Sequence, residues 1–114
     1  MDSELPAPVL FTVFKVHKDI QHTFGRTSVD QWRIAPPVAH ALPGTDFRIQ
    51  IADPESHDVE AFAAIFDPNP ATNNGQWVTV HVRDDTQRQR YYEFEVYVDG
   101  QFVEANSAPG IIID

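Results

Sequence analysis

The chain has 114 residues, 42% of them hydrophobic and 11% aromatic, with a formal net charge of −9 and no cysteine. That length suits one domain over 1–114, with 1–7 as a flexible tail, and a chain of this size buries roughly two-thirds of its unfolded surface. The missing cysteine excludes disulfides and a blue-type thiolate copper centre, and the acidity repels phosphate backbones, so no nucleic-acid partner is expected.

The start, Met1-Asp-Ser-Glu-Leu-Pro-Ala-Pro8, has no basic segment followed by an apolar run. It is not a secretory signal, and no stretch nears the ~20 apolar residues of a membrane helix. The expectation is a cytoplasmic protein without membrane contact. Val9–His17 is the first strand, with Val9, Phe11 and Val13 on one face and Leu10, Phe14 and Val16 on the other. Apolar residues on both faces predict a strand between layers. Gln21–Phe24 and Gln31–Ile34 read as short strands around Gly25, with a tight turn ahead of them at Lys18–Gln21. Pro36-Pro37 and Pro43-Gly44 mark a loop.

Phe47, Ile49 and Ile51 alternate as an inward-facing strand that Asp53-Pro54 stops. Val59–Phe66 is ambiguous: Val59, Phe62 and Phe66 fit a helical stripe, whereas its length and setting favour a strand. It is assigned as strand. Asp67–Gly75 is a long turn cluster. The clearest signals follow. Val78, Val80 and Val82 face one way, with Trp77, Thr79 and His81 opposite. Tyr92, Phe94, Val96 and Val98 repeat the pattern, with Tyr91, Glu93, Glu95 and Tyr97 opposite. Asp99-Gly100 then favours a two-residue hairpin turn into Gln101–Val103. Ile111-Ile112-Ile113 is a last buried strand or a partner contact. The sum is an all-β fold: a single-domain antiparallel β-sandwich of seven to nine short strands, immunoglobulin-like or cupredoxin-like.

Tyr91-Tyr-Glu-Phe-Glu-Val-Tyr-Val-Asp-Gly-Gln-Phe102 with Pro109-Gly-Ile-Ile-Ile-Asp114 resembles the closing hairpin of small bacterial β-sandwich proteins, among them the DP-EP family. The resemblance covers about a third of the chain. It implies the fold and a bacterial setting, and carries over no catalytic residue.

The chemistry-bearing residues form few constellations. His17, Asp19 and His22 would approach one another across a turn at Lys18–Gln21, and imidazole with carboxylate is a zinc donor set. Their spacing matches no established ligand motif, and a solvated turn accounts for them better. Asp53–Glu60 is the densest acidic run, but lacks the glycine and spacing of a calcium loop. Glu93 and Glu95 lie two apart on one face, as acid–base pairs can, without a visible cleft. No nucleophile elbow or phosphate loop occurs. The strongest surface is Trp77, Tyr91, Glu93, Glu95 and Tyr97, where planar rings beside carboxylates can anchor a protein or stack on a sugar. The functional expectation is a non-enzymatic, cofactor-free module acting by protein contact, as a homo-oligomer. Carbohydrate or small-ligand binding on the aromatic face is the alternative, and His/Asp metal binding the third reading.

Overall fold

The computed structural model describes residues 6–105 and 107–114. Its strands, in chain order, are β1 (Val9–His22), β2 (Gly25–Ala35), β3 (Val38–Ala41), β4 (Asp46–Ile51), β5 (His57–Phe62), β6 (Ala71–Gly75), β7 (Trp77–His81), β8 (Arg90–Glu93), β9 (Glu95–Val98), β10 (Gln101–Phe102) and β11 (Gly110–Ile113). They form three sheets, ordered β2-β1-β4-β7, β10-β9-β5-β6 and β3-β11-β8. The first sheet makes one layer of a β-sandwich; the other two make the second layer.

Alternation decides which residues meet between the layers. Phe47, Ile49 and Ile51 of β4, Val78 and Val80 of β7, and Val96 and Val98 of β9 are all buried in one hydrophobic cluster. Four phenylalanine rings hold its centre: Phe11 meets Phe94 at 4.9 Å and Phe47 at 6.0 Å, while Phe66 meets Phe94 at 5.7 Å and Phe47 at 6.0 Å. Edge-to-face contacts of this kind add to the burial of apolar area.

Phe94 also explains a break that the sequence conceals. The run from Tyr91 to Val98 is one alternating pattern, yet the chain changes sheets in its middle. Glu93 pairs with Gly110 in the third sheet, and Glu95 pairs with Phe62 in the second. Between them, the Phe94 amide donates to the Pro109 carbonyl at 3.0 Å. A strand that switches sheets keeps its inward and outward sides, so periodicity passes through the corner unchanged.

Several expectations are corrected. The described residues hold eleven strands rather than seven to nine, and the first two are long. The pairing is not wholly antiparallel, because β1 runs parallel to β4 and β11 parallel to β3. The loop expected between the proline pairs contains β3, and the turn cluster before Trp77 contains β6. Thr72, Asn73 and Asn74 of β6 pair through their backbones at a sheet edge while their side chains stay exposed, leaving no hydrophobic signature. Val59–Phe66 divides into strand to Phe62 and loop beyond it. Ile111 and Ile113 are fully buried in a central strand, so the end of the chain is core and not a partner contact.

The largest correction concerns the first hairpin. Lys18–Gln21 is not a turn. The β1–β2 ladder runs unbroken from Thr12–Ala35 to His22–Gly25, whereas β4 supports β1 only as far as Val13. From Lys15 to His22, and back to Gln31, the two strands lose the support of β4 and run outward with exposed or half-exposed side chains on both faces. Eight residues at about 3.3 Å each give a projection of roughly 25 Å. The Cα radius of gyration of 15.8 Å accordingly exceeds the about 13 Å usual for this length.

The same residue type should thus carry opposite weight in core and arm. Replacing Phe94 by alanine is expected to cost about 3–5 kcal/mol in urea denaturation, as for other buried phenylalanines. Phe24→Ala, at 93% exposure, should cost less than about 0.5 kcal/mol; an equal cost for both would contradict this placement.

Candidate functional site

The arm keeps its shape by polar pairing on one face. In an antiparallel ladder, directly opposed residues share a face, which places Lys15 with Trp32, His17 with Asp30, and Asp19 with Ser28. His17 Nδ1 lies 2.9 Å from Asp30 Oδ1, and its Nε2 lies 3.3 Å from Asp19 Oδ1. The Ser28 hydroxyl donates to Asp19 at 2.7 Å. Hydrogen bonding to Asp30, helped by the charge of Asp19, raises the His17 pKa above its ordinary value. A two-stranded ribbon is marginal alone, and these cross-strand pairs supply specific support.

The predicted trio therefore divides. His17 and Asp19 are brought together, and Asp30 joins them. His22 lies on the opposite face, where its Nε2 pairs with the Thr27 hydroxyl at 2.8 Å. Among the described residues, no group of three or more histidine and carboxylate side chains has the geometry to hold a metal ion. The histidines are instead distributed, each with its own partner: His40 with Asp114 at 2.8 Å, His81 with Asp46 at 2.6 Å, and His57 with Asp99 at 2.7 Å.

His57 lies at the root of the arm, within the acidic run Asp53–Glu60, where sequence reasoning gave it no role. It opens β5 and is buried. Its ring stands edge-on to Trp32 at 5.2 Å, and the Lys15 ammonium covers the Trp32 ring at 4.8 Å. Asp99, at φ 51° in the turn after β9, accepts from His57 Nδ1 through Oδ2 and from the Asp58 amide through Oδ1. Asp53 Oδ2 faces His57 Nε2 at 3.5 Å. Thus the acidic loop does not gather its carboxylates around one point. Asp53 turns to the imidazole, with its Oδ1 accepting from the Glu55 amide. The signal available in the sequence was the Asp53…His57 spacing followed by Asp-Gly, but nothing local shows that the Asp99 turn folds over His57. Lys15, Asp30, Trp32, His57, Asp99 and Gln101 line a recess of about 290 Å³ there.

The predicted aromatic surface is also divided. Trp77 lies on the first sheet, under the Arg48 guanidinium at 4.5 Å. Tyr91 and Glu93 lie on the third sheet, where the Tyr91 ring covers Gly110 and its hydroxyl donates to the Ala108 carbonyl at 3.4 Å. Glu95 and Tyr97 lie on the second sheet. There they meet two rings outside the predicted set: Phe62 at 5.5 Å and Phe102 at 5.6 Å from Tyr97. Opposed pairs Glu60–Tyr97 and Phe62–Glu95 alternate ring and carboxylate across β5 and β9. Glu60, Phe62, Glu95, Tyr97 and Gly100 line an open cavity of about 300 Å³. The Glu95 charge raises the Tyr97 pKa, and the Tyr97 hydroxyl lies 3.3 Å from Glu95 Oε2. The alternation Val59, Glu60, Ala61, Phe62 did carry this information, once that segment is read as strand.

Neither protein-family models nor curated proteins yielded a match to this chain. The resemblance of the closing segment to the DP-EP family rests on those residues alone.

The His57 contacts make a pH-dependent tie. The Asp99 hydrogen bond raises the His57 pKa above 6.5 against the opposing effect of burial. The same bond, with the Asp58 amide, lowers the Asp99 pKa below 3.8. The histidine contribution is complete below 6.5 and is lost as pH rises through the raised value. The aspartate contribution is complete above 3.8 and is lost as pH falls through the lowered value. Thermal stability should therefore decline as pH rises from 6.5 through the raised histidine value. In His57→Gln this component should vanish, and an unchanged decline in melting curves of that variant would assign it elsewhere.

Proposed function

We propose that this domain acts by protein contact, through self-association, and that the β1–β2 arm is its contact element. One observation carries the reading: Phe24, at the end of the arm, is 93% exposed. Moving a phenylalanine from water into an apolar site contributes about 2 kcal/mol, and an aromatic side chain with two rotatable bonds loses little conformational freedom on binding.

The arm also leaves backbone groups open. β2 is the outermost strand of its sheet, and β1 beyond Val13 has β2 as its one neighbour. Unpaired edges of this length template association. The chemistry of the body supports contact over catalysis. The most buried imidazole, His57, has Asp99 on one ring nitrogen and Asp53 facing the other. Both nitrogens lie against carboxylates, Nδ1 hydrogen-bonded to Asp99 and Nε2 3.5 Å from Asp53. On the second sheet, the row Phe62–Tyr97–Phe102 offers two rings without a polar handle, which suits a protein side chain better than a sugar.

In sedimentation velocity, the protein should run heavier than its 12.9 kDa chain mass at tens of micromolar, and Phe24→Ser should shift it toward monomer without lowering its melting temperature. A wild-type monomer throughout that range, or association indifferent to Phe24, would contradict this reading.

A further inference from the structure

We infer that the arm of one copy docks on the second sheet of another, with Phe24 entering the cavity lined by Phe62 and Tyr97 while Arg26 faces Glu95. This rests on the self-association proposed above and specifies both surfaces.

Charge is the first argument. Residues 15–31 carry three cations, Lys15, Lys18 and Arg26, against two carboxylates, Asp19 and Asp30, for a net +1; the rest of the −9 chain therefore carries −10. Both arm carboxylates are already engaged, Asp30 with His17 and Asp19 with His17 and Ser28. Lys15 covers Trp32. Lys18 and Arg26 have no ion-pair partner among the described residues and are exposed. A basic projection on a strongly acidic body finds its complement on another copy.

The second argument is the acceptor. Glu60 and Glu95 flank Phe62 and Tyr97 with no cationic partner among the described residues. Phe102, beside Tyr97, is half exposed. Phe24 with Arg26 two residues on thus matches a cavity whose rings lie beside carboxylates. Arg26 and Phe24 are also spaced for one strand end to deliver both. The contact joins different surfaces, so two copies that exchange arms close a two-fold pair, whereas unreciprocated docking extends a chain.

The test uses charge reversal in the intact chain. Arg26→Glu alone sets a new carboxylate against Glu95, and Glu95→Arg alone sets a new guanidinium against Arg26. Each should weaken self-association about tenfold or more. Mixing the two variants gives every arm a complementary body. The carboxylate introduced on the arm of one meets the guanidinium introduced on the body of the other, and the remaining pair is unmodified Arg26 against unmodified Glu95. The mixture should recover the wild-type sedimentation profile. If the wild type associates but the mixture stays monomeric, the arm-on-body arrangement is wrong while self-association stands; a monomeric wild type removes both. A photo-crosslinking residue at position 24 gives a test independent of either reversal's folding. In mixed heavy- and light-isotope copies, its crosslinks should fall within residues 60–62 and 95–102 of the other copy. Crosslinks confined to arm peptides would overturn the proposal.

Discussion

The change at Lys15 and Trp32 governs this structure. Up to Val13, the inward side of β1 is hydrocarbon, with Phe11 and Val13 completely buried. Beyond it, the same side carries Lys15, His17, Asp19 and Gln21, which no core would accept without extensive pairing. The ladder to β2 nevertheless continues for eleven opposed pairs in all. Backbone pairing and core packing thus end at different places. The arm is what remains when the ladder outruns the core.

Such a projection needs a firm base, and the polar cluster around His57 provides one. Trp32 belongs to β2, His57 to the start of β5 and Asp99 to the turn between β9 and β10. Their contacts join the arm's root to the opposite layer of the sandwich. Asp99 holds the imidazole by a hydrogen bond at Nδ1 and Asp53 faces Nε2, so the strength of this junction varies with protonation. The proposed contact by the arm and the stability of its root are therefore distinct properties. The proposal rests on exposed Phe24 and Arg26, the junction on the buried imidazole.

The legible part of the fold was the part in which local alternation and burial coincide. Period alone directs Val78 and Val80, Phe47, Ile49 and Ile51, and Val96 and Val98 to the interior, and they line it. Ile111 and Ile113 fit the buried alternative for the last strand. Strands β3 and β6 were illegible because backbone partners define them, and asparagine at a polar edge carries no periodic signal. The arm was misread for a related reason. With polar residues on both faces, Lys18-Asp19-Ile20-Gln21 resembles a turn, and only the cross-strand register with Thr27, Ser28 and Val29 makes it strand. The site was less legible than the fold, since long-range turns decide which rings share a sheet. Tyr97 found Phe62 and Phe102 rather than Trp77 and Tyr91.

The central claim is that the arm's exposed backbone becomes covered when copies meet. Hydrogen–deuterium exchange of the wild-type protein across a concentration series tests it most directly. Amides of residues 15–31 should exchange rapidly in dilute solution and gain protection as concentration rises, together with those of β9 and β10, while the central strands β4 and β11 remain unchanged. Arm amides whose exchange is independent of concentration would contradict the account.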